Sequence, residues 1–177
     1  HPSDVVNRYV GMVLARQQAE SGDRPPERFR GIHRHGDGTS LIEQVELLDE
    51  CMRPTRIVRC REIVTVRVRA LFARDAMQPV VGVLVRNRQG MDVYGTNTRL
   101  EGRQLGLFRK GERLQIEFRF ECRLSQQEYT LTVATQHWDG SSQDWLDDVL
   151  SFRVVDEKGA AGVVNFETDI RWWRVAR

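Results

Sequence analysis

The chain is short of lysine and carries no excess of charge of one sign. Lysine occurs only at Lys110 and Lys158, so nearly all of the 27 basic residues are arginines, set against 25 acidic residues for a net charge of +2. Nucleic-acid-binding proteins concentrate positive charge, so this balance gives no indication of one. Arginines on solvated strand faces explain the pattern. The planar guanidinium can also bind phosphate or carboxylate in a bidentate way, so an anionic ligand is an open alternative.

Long apolar runs and paired cysteines are missing as well. No run in the sequence reaches the ~18 apolar residues that a membrane span needs, and no signal peptide opens it. The three cysteines, Cys51, Cys60 and Cys122, cannot all pair within one chain and form no C-x-x-C motif. They are predicted to be buried free thiols in a reducing compartment. We therefore expect a cytosolic protein or a piece cut from one.

The motifs of several enzyme classes are absent too. The spacing from Gly90 to Gly95 is followed by Thr96 instead of lysine, so there is no Walker A loop, and neither G-x-S-x-G nor H-E-x-x-H occurs. Carboxylates that a glycosidase could use are present, but solvated acids explain them more simply. His33 and His35 have no metal-ligating residue at a supporting spacing. We expect no enzyme activity, no cofactor and no metal site.

The apolar periodicity divides the chain into three parts. Helical spacing between Val5 and Leu14 predicts a helix over residues 1–20, and the Gly-, Pro- and charge-rich residues 21–40 predict a linker. From Leu41 onward the period is two, which predicts a β-domain over residues 41–177. Seven to nine short strands separated by turn signals predict an antiparallel β-sandwich of immunoglobulin-like or jelly-roll type.

The predicted strands contain regular inward and outward phases. Asp139–Asp148 is predicted to be a polar loop between two of them. The extended segments are Leu41–Leu48, Ile63–Phe72, a hairpin within Pro79–Thr98 that turns at Gly90, Leu114–Cys122, Tyr129–Trp138, Leu150–Val155 and Gly162–Arg174.

Aromatic residues off the inward phase point to a binding face. Trp138 shares the outward phase of its strand with Gln136, and polar and aromatic neighbours follow. Sugar rings stack on indole, while amide, imidazole, carboxylate and guanidinium groups bind their hydroxyls. The alternative is that the tryptophans pack under their own loop. The predicted carbohydrate-binding residues are Trp138, Gln136, His137, Asp139, Trp145, Arg67 and Arg69.

The C-terminal segment carries adjacent tryptophans, Trp172 and Trp173, which face opposite ways in a strand. One of them can pack in a core, while the other needs a second surface to bury it. A partner subunit and packing within the same chain are both open explanations.

Several short motifs occur in an order that resembles a known family. The hairpin runs into Gly95-Thr-Asn-Thr98, and Gly111-Glu-x-Leu114, Tyr129-x-Leu-x-Val133 and Asp144-Trp-Leu146 follow. Together they resemble the C-terminal carbohydrate-binding domain of Wzt-type proteins, the ATP-binding subunits of O-antigen polysaccharide ABC exporters. One departure is Leu124–Tyr129, which lacks the Pro-Gly turn frequent in that family.

The resemblance implies a non-catalytic module that binds an O-antigen-type polysaccharide at its terminus. The helix over residues 1–20 would then lead out of a nucleotide-binding domain that this sequence does not include. The implied partners are the polysaccharide, a second copy exchanging its C-terminal strand, and the transporter permease, at the cytoplasmic face of the inner membrane. The alternative is a dimerisation or protein-interaction sandwich without glycan binding.

Overall fold

The described part of the chain is an all-β sandwich built mainly from antiparallel strands. The computed structural model describes Phe29 and residues 32–166 and 168–175, and it contains no helix within them. The helix predicted over residues 1–20 and the first part of the predicted linker lie outside the described residues. The strands are β1 (Arg34–His35), β2 (Ser40–Leu48), β3 (Ile57–Arg59), β4 (Ile63–Phe72), β5 (Ala76–Met77), β6 (Val80–Asn87), β7 (Asp92–Asn97), β8 (Leu107–Phe108), β9 (Arg113–Glu121), β10 (Glu128–Gln136) and β11 (Ser142–Val155).

Two main sheets form the layers. The larger has the order β1-β11-β10-β6-β7, and β3 joins it by pairing parallel to β11. The smaller has the order β2-β4-β9, and β5 and β8 form a separate short ribbon. The short β1 lies inside the segment that the sequence assigns to a linker. All pairings in these sheets other than that of β3 are antiparallel.

The core lies between the two sheets and follows the period-two pattern. The inward side chains of β4 are Val64, Val66, Val68, Ala70 and Phe72, which are all buried, as predicted. The larger sheet faces them with alternate residues of β6 and β10. These are Val81, Val83, Val85, Tyr129, Leu131 and Val133. The outward residues of the larger sheet are therefore free to form a surface of their own.

The predicted hairpin is confirmed, with β6 and β7 as its strands. Asn87 accepts hydrogen bonds at its side-chain oxygen from the amides of Gln89 and Met91, both at 3.0 Å. Gly90 takes a φ of 76°, a left-handed conformation that glycine adopts without steric cost.

The prediction of a polar loop at Asp139–Asp148 is wrong over most of its length, because β11 begins at Ser142. Trp145 therefore lies in a strand paired with Ala134, not in a loop. The preceding strand is also shorter than predicted: β10 ends at Gln136, so Trp138 lies in the connection that follows.

The predicted extended segment at Gly162–Arg174 forms no strand among its described residues. It makes an isolated bridge from Val164 to Leu124, and beyond it several large apolar side chains are 76–83% exposed. These are Phe166, Ile170, Trp172, Trp173 and Val175.

The cysteines are free thiols, as predicted, but they are not all buried. Cys122 is buried, Cys60 is half-buried and Cys51 is exposed, because Cys51 lies in the turn after β2 instead of in a strand.

Candidate ligand-binding groove

A shallow groove of about 210 Å³ crosses the outward face of the larger sheet. Its centre is a row of paired residues on four neighbouring strands: Trp145 on β11, Ala134 on β10, Gly82 on β6 and Asn97 on β7. Paired residues in antiparallel strands point to the same face, so this row is a continuous strip of surface. The groove therefore lies on the side of the sheet that faces away from the core.

Small residues make the floor of the groove. A Cβ atom at Gly95 would come within 2.9 Å of the Leu84 side chain, and one at Gly82 within 3.2 Å of Asn97. Ala134 adds only a methyl group beside them. Glycine within a strand often marks a place where a ligand approaches the backbone, and two glycines on adjacent strands create the depression here.

The side-chain amides of Gln136 and Asn97 give the groove a hydrogen-bond acceptor and a hydrogen-bond donor. The Gln136 Nε2 atom donates to the carbonyl of Gly140 at 3.0 Å, which leaves Oε1 without a protein partner among the described residues. Asn97 accepts at Oδ1 from the amide of Leu100 at 2.8 Å, which leaves its NH₂ group available. The groove thus offers one acceptor and one donor to a hydroxyl-bearing ligand.

Trp145 forms one wall and is held in place from two sides. Its Nε1 donates to Oδ1 of Asp147 at 2.9 Å, and the ring of His35 stacks on it with 5.7 Å between centroids. The indole therefore has one covered face and a defined orientation. A ring fixed before binding loses less entropy when a ligand stacks on it.

Arg86 and Asp147 carry the charge at one end of the groove. Arg86 donates to Asp147 at 3.0 Å, to Asp92 at 2.8 Å and to Thr132, a groove residue, at 3.3 Å. Burial acts to raise the pKa of Asp147, but the hydrogen bonds from Trp145, Arg86 and His33 outweigh it, so the pKa lies below its ordinary value. The carboxyl group is accordingly ionised at neutral pH.

Asp144 supports the groove from the inside of the sandwich. It is buried, and Arg34 binds it through Nε at 2.7 Å and Nη2 at 2.6 Å, while the amide of Ile42 donates to it at 2.6 Å. One carboxylate thus connects β1, β2 and β11. This connection fixes the strand from which Trp145 points outward.

The structure brings two of the predicted carbohydrate-binding residues, Gln136 and Trp145, into the groove. The other three from this region lie in the connection after β10. His137 binds Asp37 at 2.8 Å, and Asp139 accepts from the backbone and hydroxyl of Ser141.

Trp138 occupies the same connection. Its ring lies 5.6 Å from the guanidinium carbon of Arg99, and Arg99 also donates to its carbonyl at 2.9 Å. Arg99 adjoins Leu100, which lines the groove, so Trp138 is near the groove end but is not part of its lining.

Arg67 and Arg69 are on the other sheet. Arg67 binds Glu117 at 2.8 Å, and Arg69 binds Gln115 at 2.7 Å, across β4 and β9. The structure does not bring these arginines together with Trp145, because β4 belongs to the opposite layer.

The predicted binding residues did not include the floor residues Gly82, Gly95 and Ala134 or the amide Asn97. A signal was present for two of them, because Gly95 and Asn97 stand in the Gly-Thr-Asn-Thr motif of the predicted hairpin. Gly82 interrupts a run of valines, which is a further sign of close backbone approach.

The sandwich and its groove define a β-domain with a concave face on one sheet. The sequence matches the family model described as Wzt C-terminal domain over residues 32–166. The chain therefore belongs to the family of Wzt C-terminal domains. The described part of the chain contains no helix with the length and hydropathy that a membrane crossing needs.

Two solved structures share the fold. A crystal structure of the C-terminal domain of wzt superposes with a TM-score of 0.76 at 20% identity, covering 85% of this chain and 93% of that one. A Niemann-Pick type C2 protein from the Japanese carpenter ant gives a TM-score of 0.52 at 6% identity, covering 70% and 98%. A comparison with curated proteins finds no match.

Proposed function

We propose that this domain is a non-catalytic module that binds an O-antigen-type polysaccharide at its terminus. The family is associated with O-antigen export, and binding in the groove would select the polysaccharide for an ABC transporter. Through the parent protein the domain would meet the transporter permease at the cytoplasmic face of the inner membrane. The observation that carries the proposal is the groove itself, in which an oriented indole, an available amide oxygen and an available amide NH₂ group surround a floor of small residues.

The chemistry of the groove fits a sugar ring. His35 covers one face of Trp145, which leaves the other face for the C–H surface of a pyranose. Gln136 and Asn97 supply an acceptor and a donor for hydroxyl groups. The volume of about 210 Å³ is below the ~300–1,000 Å³ of sites for drug-sized ligands. The groove therefore suits the terminal sugar of a polysaccharide better than a stretch of several sugars.

Filling the floor of the groove tests this site. In Ala134→Leu the added carbon atoms would project outward into the groove beside Trp145, so the core would be unchanged. We expect this variant to fold and to lose retention of polysaccharide from the source strain in a pull-down. Arg69→Gln is the matched control, because it alters the outward face of the other sheet and should retain binding.

The opposite result would place the binding site on the smaller sheet. If Ala134→Leu retains the polysaccharide while Arg69→Gln loses it, binding occurs on the smaller sheet. Melting temperatures of both variants show whether a loss of retention reflects unfolding.

The exposed C-terminal segment favours a second, compatible role in dimerisation. Large apolar side chains, including Trp172 and Trp173, are exposed in the isolated chain, and such exposure is typical of an interaction surface. We propose a homodimer that uses Val163–Trp173, as strand exchange in this family implies. Truncation after Lys158 should give a monomer in analytical ultracentrifugation. A truncated protein that remains a dimer of equal stability would contradict the exchange.

A further inference from the structure

Three side chains next to the groove converge at the edge of the larger sheet, and we call them the His–His–Asp cluster: His33, His35 and Asp147. One ligand atom from each lies within 4.8 Å of the other two. The backbone creates the arrangement, because β1 pairs with β11 and the amide of Asp147 donates to the carbonyl of His33 at 3.0 Å. Residues two apart in an extended segment share a side, so both imidazoles point the same way.

The carboxylate of the cluster is held by neighbours that are not ligands. Trp145 and Arg86 both donate to Oδ1 of Asp147, at 2.9 and 3.0 Å. The other oxygen, Oδ2, faces Nδ1 of His33 at 3.2 Å. Outer hydrogen bonds of this kind orient the ligands of known metal sites. Here they leave one oxygen directed at the imidazoles.

The second imidazole has its nitrogen atoms available. His35 stacks on Trp145, and within the described part of the chain it makes no side-chain hydrogen bond. Both histidines are exposed, so their side chains have room to rotate toward a shared ion, which needs its nitrogen ligands at ~2.0–2.1 Å.

We propose that the His–His–Asp cluster binds one divalent transition-metal ion, of which Zn²⁺ is the best fit. Two imidazoles and a carboxylate are a ligand set that Zn²⁺ accepts, whereas Ca²⁺ and Mg²⁺ prefer oxygen ligands alone. Three protein ligands leave a coordination position open to solvent. No metal site was predicted because no ligand stands near the two histidines in the sequence, and Asp147 follows His33 by 114 positions.

Calorimetric titration with ZnCl₂ tests the site on tag-free protein. Every protein in the series carries His1→Ala and Cys51→Ser, which remove an imidazole outside the described residues and an exposed thiol. We expect one saturable site, lost in His35→Gln and in Asp147→Asn. His137→Gln is the matched control, since this imidazole binds Asp37 away from the cluster and its loss should leave Zn²⁺ affinity unchanged.

A second measurement separates lost ligands from lost folding. Zn²⁺ should raise the melting temperature of the parent protein and of His137→Gln but not that of His35→Gln, because a ligand stabilises only a fold that binds it. Titration with MgCl₂ should show no binding. Zn²⁺ affinity that is equal in all variants, absent from all, or matched by Mg²⁺ would overturn the proposal.

Discussion

Two tryptophans near one end of the larger sheet should respond differently to replacement by alanine. Trp145 forms a wall of the groove, whereas Trp138 lies beyond the end of β10. If the groove binds the sugar ring, Trp145→Ala removes the stacking surface and Trp138→Ala removes only a neighbour. Stacking worth about 1 kcal/mol or more corresponds to a loss of roughly fivefold to tenfold in affinity. For Trp138→Ala we expect a change of about twofold or less.

The exposure of Trp138 sets the effect on stability. Tryptophan buries up to roughly 200 Å², and this one is 46% exposed. About 100 Å² at ~25 cal/mol/Å² corresponds to about 2.5 kcal/mol, which residual burial in the unfolded chain lowers to about 2 kcal/mol. A core tryptophan would cost ~3–5 kcal/mol. The melting temperature of Trp138→Ala should therefore fall by about 4–8 °C for a chain of this size.

Calorimetric titration with the polysaccharide and thermal unfolding on the same preparations give both quantities. Trp145→Phe is the conservative control, because it keeps a smaller aromatic ring in the groove while removing the N–H that binds Asp147. If Trp138→Ala loses more affinity than Trp145→Ala, the sugar binds at the connection after β10 and the groove assignment is wrong. If all three variants bind the polysaccharide as tightly as the parent protein does, the site lies elsewhere.

Two further predictions concern stability and thiol chemistry. Asp144→Ala leaves the guanidinium of Arg34 and the amide of Ile42 without their shared acceptor, so urea unfolding should show a loss of about 3 kcal/mol or more. If Asp144→Asn is as stable as the parent protein, the ion pair with Arg34 is not the cause of the loss. Burial raises the pKa of Cys122 to about 11, so Ellman's reagent should titrate the exposed Cys51 first. Rapid reaction of Cys122 in the native protein would show that it is accessible.

Strands with an uninterrupted period of two were predictable from the sequence. β4 places five apolar residues on one face without a break, and the hairpin of β6 and β7 is marked by Gly90. In these segments local preference and tertiary burial agree. The sandwich class followed from them, because alternating strands of this kind must cover their apolar faces against another sheet.

The first half of β11 was missed for a specific reason. One of its inward positions is Asp144, and a buried carboxylate is tolerated there only because Arg34 and the amide of Ile42 satisfy it from other strands. Those partners are more than a hundred positions away in the sequence. Local patterning therefore identified a polar loop where tertiary contacts make a strand.

The alternation also breaks inside β11, at a bulge that lies next to the groove wall and the His–His–Asp cluster. Val133 pairs with Leu146 and Leu131 with Leu150, so one residue of β10, Thr132, stands opposite three of β11. Asp148, within the bulge, takes a left-handed φ of 47° and donates its amide to Thr132.

Such a bulge redirects side chains and is common beside functional sites. Asp147, the first residue of the bulge, anchors Trp145 on the groove side and faces His33 at the sheet edge. A regular β11 would continue the period of two and would not crowd three residues opposite Thr132. Trp145 and Asp147 are two residues apart on β11 and share its outward side, and β1 pairs with this part of the strand. The groove wall and the His–His–Asp cluster therefore lie side by side, next to the bulge.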